Sequence, residues 1–158
     1  MPDGRLIVCT EIGEIIILED DGAFVAFLED SPIIQEDRFK IEVVIPMQRG
    51  FLVAGNGKIY VYEKIEDPKA PYRMITEPLE VQLDSKDNTF GSNTPQLVKS
   101  MCLPLNSEDH VYFITASNQI MKVDIPLYYG AEQQCKFENV QCQFHSQEIT
   151  GLDICIRK

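Results

Sequence analysis

The stretch that decides the fold is Phe51-Leu-Val-Ala-Gly-Asn-Gly57-Lys-Ile-Tyr-Val-Tyr62, in which a short turn separates two apolar runs. Asn-Gly between apolar runs is the strongest short-range signal for a β-hairpin, because both residues tolerate positive φ. The same pattern occurs at residues 7–18, with its turn at Gly13, and at residues 112–123, with its turn at Asn118. The sequence therefore predicts three copies of one strand–turn–strand unit.

The spacing of the three units predicts the architecture. One isoleucine recurs at the same point of each unit, as Ile15, Ile59 and Ile120, so the intervals are 44 and 61 residues. A β unit that repeats about every 40–45 residues is typical of propeller blades. The predicted fold class is therefore all-β, a partial β-propeller whose ring is not closed within this chain. We expect the three isoleucines to occupy equivalent buried sites, one in each blade.

The remaining apolar runs and turns predict how the chain is divided. Pro46 and Pro104 each close a run that reads as an innermost strand, ahead of the second and third units. The predicted divisions are an incomplete blade of three strands at 1–38, a blade at 39–82, a polar loop at 83–96, a blade at 97–144, and at 145–158 the first strand of a following blade that could open a second propeller. These pieces cannot close a ring of four or more blades, so we expect a segment of a longer polypeptide.

Composition bears on the class of partner. The net charge is −11, and residues 1–38 carry ten acidic residues against two arginines, which gives −8 for that piece. Nucleic-acid binding needs a basic footprint, so no nucleic-acid partner is expected. No run of about 18 apolar residues is present, so no membrane partner is expected. The five cysteines form no Cys-x-x-Cys pair and are expected to be plain thiols in a reducing compartment, with pairing of Cys135 and Cys142 across a turn as the alternative.

The sequence carries no pattern that is typical of catalysis. His110 and His145 are the two histidines, and neither has a Cys or a carboxylate at a metal-ligand spacing. No GxSxG, P-loop or GxGxxG motif occurs, and Gly55-Asn-Gly57 is a hairpin tip without a helix behind it. We therefore expect that the chain is not an enzyme, that it has no catalytic, cofactor-binding or metal-binding residues, and that it takes no cofactor.

The blade pattern resembles the WD-repeat family, although the chain contains no Trp. The closest local match is the tail His145-Ser-Gln-Glu-Ile-Thr-Gly-Leu-Asp-Ile-Cys-Ile-Arg-Lys158, which is similar to the opening of a WD repeat, where a His precedes the first strand. Together with Tyr129-Gly-Ala-Glu-Gln-Gln134, this tail resembles a ciliary branch of the family, in which tandem propellers precede a long coiled coil.

This resemblance implies a role in the cytoskeleton of the ciliary or flagellar axoneme. It implies a structural, protein-interaction part that helps to assemble and anchor inner dynein arms on doublet microtubules. The implied partners are other axonemal proteins in a large assembly, namely inner dynein arm components and radial-spoke or regulatory-complex neighbours. The segments Leu83–Gln96 and Pro126–Gln134 are the candidate contact loops.

Two other functions stay open from the sequence. One is a WD-repeat scaffold in another cytoplasmic complex, for example in trafficking or in ubiquitin-ligase recruitment. The other, which has less support, is an enzymatic or small-ligand propeller. The full-length transcript would separate the axonemal function from the other scaffold, because a second ring followed by long heptads favours the axoneme.

Overall fold

In the computed structural model, the residues described are 3–10, 13–28, 40–81, 96–128, 135–140 and 149–153. These residues form twelve β-strands and no helix. The strands are β1 Leu6–Cys9, β2 Ile15–Leu18, β3 Phe24–Phe27, β4 Ile41–Pro46, β5 Gly50–Gly55, β6 Lys58–Lys64, β7 Tyr72–Met74, β8 Leu79–Glu80, β9 Val98–Cys102, β10 His110–Thr115, β11 Ile120–Asp124 and β12 Phe137–Asn139.

The strands form three antiparallel sheets in chain order. The first sheet is β1-β2-β3, the second is β4-β5-β6-β7 with β8 also paired to β6, and the third is β9-β10-β11-β12. Within the described residues none of the sheets closes on itself or joins another through strand pairing. The all-β, partial-propeller fold class is confirmed.

The hairpins form where the local turn chemistry predicts them. Gly13, Asn56, Gly57 and Asn118 all have positive φ, between 51° and 88°. Gly and Asn reach this region at the least steric cost, so each turn can reverse the chain within a few residues. Strands β1–β2, β5–β6 and β10–β11 pair across these turns, as the three-unit pattern predicts.

The core lies between the sheets, in two layers. One layer packs the first sheet against the second, with Ile15 and Ile17 facing Phe51 and Tyr60. In the other layer the opposite face of the second sheet, which includes Ile59, packs against the third sheet. The second sheet is thus covered on both faces, and every residue of β5 is buried. This explains why its hairpin reads as a nearly continuous apolar run.

The expectation of three equivalent buried isoleucines is wrong in one respect. Ile15 and Ile59 are buried, each on the face turned towards the next sheet. Ile120 opens β11 and is only half-buried. Its strand neighbours Met121 and Val123 lie on the opposite face, against the second sheet. Alternation along the strand therefore turns Ile120 away from that core layer.

Several predicted boundaries lie outside the described residues. All of the polar loop at 83–96 except Gln96 is outside them, and so are residues 145–148 and 154–158 of the predicted piece at 145–158. The predicted divisions at 38/39, 82/83 and 144/145 therefore stay predictions. Within the described part, β4 extends one residue further than expected, through Pro46, and β8 is a strand that the sequence pattern did not indicate.

Candidate interaction site at the ends of two sheets

A cleft of about 850 Å³ lies at one end of the second and third sheets. Its walls are the turn between β4 and β5, the longer turn between β9 and β10, and the start of the connection after β11. We call this the cleft end, and the opposite end, which carries the β5–β6 and β10–β11 turns, the hairpin end. Successive antiparallel strands alternate in direction, so these connections from two sheets meet at the same end.

Arg49 joins the two walls of the cleft. Its Nη1 donates hydrogen bonds to the carbonyl oxygens of Pro126 and Leu127, both at 2.8 Å. Its Nη2 donates to the carbonyl oxygen of Glu108 at 3.0 Å. The planar guanidinium thus binds three carbonyls of the third sheet from a turn of the second sheet, a geometry that a lysine cannot reproduce.

Glu108 completes the junction from the other side. Its carboxylate accepts hydrogen bonds from the backbone N–H of Gln48 and, at 3.4 Å, from that of Arg49. The Arg49 Nε lies 3.7 Å from the Glu108 Oε2, an ion-pair distance. Both side chains are about three-quarters buried, so the positive charge of the arginine is matched within the junction.

Large apolar side chains near this junction are exposed to solvent. Leu105 is 67% exposed and Leu127 is 56% exposed, and both line the cleft. Tyr128, the next residue along the chain, is 64% exposed. A single exposed leucine is ordinary, but several beside one concave surface are typical of a binding site.

A second apolar surface lies on the outward face of the first sheet. The register pairs Leu6 with Leu18 and Leu18 with Phe24, so these side chains share one face. Val8 and Phe27 both pair with Ile16, which lies two residues before Leu18 in β2 and therefore on the same face. Their side chains belong to this face as well. The two phenylalanine rings are 4.9 Å apart, and both are about half exposed.

The candidate contact loops are only partly described. Of the segment Pro126–Gln134, residues 126–128 are described and Leu127 lines the cleft, whereas 129–134 lie outside the described residues. Of Leu83–Gln96, only Gln96 is described, and its side-chain oxygen accepts a hydrogen bond from the Ser117 hydroxyl at 3.1 Å. The structure therefore places the beginning of one of the two loops at the cleft.

Among the described residues, the histidines and cysteines that the sequence singled out do not gather at the cleft. His110 opens β10 and packs edge-on against Tyr112, and His145 lies outside the described residues. Cys9 and Cys102 are free thiols. Burial raises the pKa of the Cys9 thiol to about 11, which keeps it protonated at neutral pH and opposes nucleophilic chemistry.

The described residues also bear on metal binding and on membrane spanning. In that part of the chain no three His, Cys, Asp or Glu side chains are placed to hold a metal ion. The same residues include no helix with the length and apolarity needed to cross a membrane.

Sequence reasoning missed the junction between Arg49 and Glu108. The two residues are far apart in the chain, and each lies in a turn where a charged residue is ordinary. The sequence feature that could have indicated this site is the presence of Leu105 and Leu127 in turns, where polar residues dominate.

Comparison with known proteins gives relatives of one kind. Over 164 aligned residues, covering 100% of this chain and 11% of the relative, the sequence is 31% identical to "Cilia- and flagella-associated protein 57 A" of Tetrahymena thermophila. It is 30% identical to "Cilia- and flagella-associated protein 57" of Mus musculus over 75% of the chain and 9% of that relative. A third relative, "Cilia- and flagella-associated protein 57 C" of T. thermophila, is 26% identical over 99% of the chain and 12% of its own length.

No protein-family model matches the chain. The chain spans about a tenth of the length of the relatives that it matches. Over its whole length, this chain is homologous to a segment of cilia- and flagella-associated protein 57.

Proposed function

We propose that the chain is a non-catalytic structural and protein-interaction segment of a ciliary axonemal protein that helps to assemble and anchor inner dynein arms on doublet microtubules. The observation that carries the proposal is homology along the whole chain to a protein named for cilia and flagella. A ciliate and a mammal both have such a relative, so the proposed cellular setting does not depend on one lineage.

The exposed surfaces support a role in binding other proteins. The turns at the cleft end are held across two sheets by Arg49, so they present a fixed shape to a partner. The cleft and the outward face of the first sheet both expose large apolar side chains. Rigid apolar surfaces with polar rims are the usual ingredients of protein interfaces.

The charge supports axonemal proteins rather than tubulin as the partners. Residues 1–38 have a net charge of −8, and an acidic surface is repelled by an acidic microtubule lattice. The proposed contacts are therefore with dynein-arm components or with radial-spoke or regulatory-complex neighbours on the doublet.

The test is disruption of the parent gene in ciliated cells, followed by cryo-electron tomography of the axonemes and quantitative proteomics. We expect specific inner dynein arms to be missing, ciliary beating to be impaired, and the doublet microtubules to be intact. Re-expression of the wild-type protein should restore the arms. Unchanged arm composition and motility in the disrupted cells would contradict the proposal.

A second measurement separates the proposal from a scaffold in another cytoplasmic complex. The tagged protein should stay with the axoneme after the ciliary membrane is removed with detergent. Recovery only in the cell body, in a trafficking or ubiquitin-ligase complex, would favour the alternative.

A further inference from the structure

We propose that the cleft binds a short segment of a partner protein in which a bulky aliphatic side chain stands next to Lys or Arg. This goes beyond the proposed function, which names no binding site and no chemistry for the partner. It shares with that function only the assumption that the partner is a protein.

The preference for an aliphatic side chain in the partner rests on the volume of the cleft and on the leucines exposed in it. A volume of about 850 Å³ falls within the range of about 300–1,000 Å³ that is usual for ligand sites. Leu105 and Leu127 line the cleft from different connections and are both mostly exposed. A bulky aliphatic side chain placed between them would remove apolar surface of both leucines from water.

The rigidity of the walls favours binding. Leu127 lies on a connection whose carbonyl accepts a hydrogen bond from Arg49, and Leu105 lies on the turn that also carries Glu108. The distance between the two leucines is therefore fixed by the junction before any partner arrives. A preformed site loses less conformational entropy on binding than a site that must be ordered.

The preference for a Lys or Arg in the partner rests on a charged group of the cleft that is not engaged in the junction. Arg49 directs its guanidinium at Glu108 and at three carbonyls, and Glu108 accepts backbone hydrogen bonds in return. Asp109 also lines the cleft and is exposed, and its hydrogen bonds are made by its backbone. Its carboxylate is thus available at the rim of the cleft, where the charged lining residues Arg49, Glu108 and Asp109 give a net charge of −1. A basic side chain beside the aliphatic anchor complements that rim.

The same charges disfavour an anionic membrane or a nucleic acid as the occupant. Both surfaces are negative and would be repelled by the acidic rim. An extended or turn-forming peptide that places one apolar and one basic side chain side by side satisfies both features of the cleft.

The test is selection of a phage-displayed library of random heptapeptides on the full-length protein, with counter-selection on its L105D variant. We expect the recovered peptides to pair Leu, Ile or Met with an adjacent Lys or Arg. A synthetic peptide of the recovered sequence should bind L105D or L127D at least about tenfold more weakly than wild type, as expected for an apolar anchor. D109N should weaken binding by about two- to threefold and reduce its salt dependence.

Matched controls use residues outside the cleft. L97D changes an exposed leucine at the hairpin end, and E77Q neutralises an exposed acid between β7 and β8. Both should bind the synthetic peptide as wild type does. Acidic or wholly polar peptides, or peptides that bind L105D equally well, would overturn the proposal. Binding of phosphatidylserine vesicles that is lost in L105D would overturn it too, because the occupant would then be a membrane.

Discussion

Arg49 illustrates how a single residue couples two sheets. Its guanidinium supplies hydrogen bonds to the carbonyls of Pro126, Leu127 and Glu108. We expect R49M to leave the part-buried carbonyls of Pro126 and Glu108 unpaired and to lower the free energy of unfolding by about 2 kcal/mol. R49K should fall between R49M and wild type, because it keeps the charge but loses the planar fork.

The measurement is pulse proteolysis in urea on the full-length protein, following cleavage in the second and third sheets. The matched control is R73M. Arg73 pairs with Glu63 at 2.6 Å, but its side chain is about half exposed. Surface pairs of this kind contribute only about 0–1 kcal/mol. If R49M is no less stable than R73M, Arg49 does not hold the sheets together.

Gly50 shows a different constraint, the close approach of two backbones. A Cβ at this position would lie 1.9 Å from the carbonyl oxygen of Tyr62, which is far inside van der Waals contact. We expect G50A to lower stability by about 3 kcal/mol or more, because β5 and β6 would have to separate. Soluble yield and protease resistance of the full-length protein measure this.

The control for that substitution is G151A, since a Cβ at Gly151 would meet no atom within 4 Å. It should behave as wild type within about 0.5 kcal/mol. Wild-type yield and protease resistance for G50A would show that the two strands can move apart at little cost.

At the scale of elements, β-bulges shape the innermost strands. In β4, Ile41 pairs with Gly55 and Val43 pairs with Ala54. Glu42 has no partner residue on β5 and is therefore the additional residue of the bulge. In the third sheet, Lys99 is additional in β9 in the same way. A bulge bends its strand and redirects a side chain. The Glu42 Oε2 accepts a hydrogen bond from the backbone N–H of Val98, 2.9 Å away on β9.

This link between β4 and β9 predicts a dependence on pH. Burial raises the pKa of the Glu42 carboxyl above its ordinary value of 4.5, and the Val98 hydrogen bond and Lys40 only partly oppose this. The folded state therefore binds a proton more readily than the unfolded state. The stability that Glu42 contributes is present below pH 4.5 and is lost as the pH rises through the raised pKa.

We expect E42Q to remove this dependence, because its amide oxygen can still accept from Val98 without carrying charge. Relative to wild type, E42Q should gain stability between pH 4 and pH 7, while E42A should lose about 1 kcal/mol with the acceptor. Urea unfolding of the two variants across that range is the measurement. A constant difference between E42Q and wild type would show that the Glu42 carboxyl titrates alike in both states.

Most of these elements were predictable because their causes are local. The Asn56-Gly57 turn and its apolar flanks fix β5 and β6 without reference to the rest of the chain. Strand β8 was not predictable, because it is only two residues long and forms by pairing with β6. The cleft was out of reach as well, because it depends on which turns of different sheets become neighbours.

At the scale of the whole molecule, within the described residues, the second sheet is covered on both faces and the first sheet is covered by the second on one face. Its outward face exposes Leu6, Val8, Phe24 and Phe27, each by more than 40%. The faces of the first and second sheets that meet are instead closely packed, and Ile15, Ile17, Phe51 and Tyr60 are each at most 1% exposed there. A sheet face that exposes these four apolar side chains side by side favours association in water.

We therefore expect the 158-residue chain, expressed by itself, to self-associate or remain loosely folded. Size-exclusion chromatography with light scattering should show species larger than a monomer at micromolar concentration. The double variant F24K/F27K should shift the distribution towards the monomer, because it places two charges on the outward face and leaves the packed face of the first sheet unchanged. Y128K, which alters an equally exposed aromatic residue at the cleft end, should shift it less. A wild-type monomer with a sharp cooperative melt would show instead that the outward face of the first sheet is stable in water without a partner.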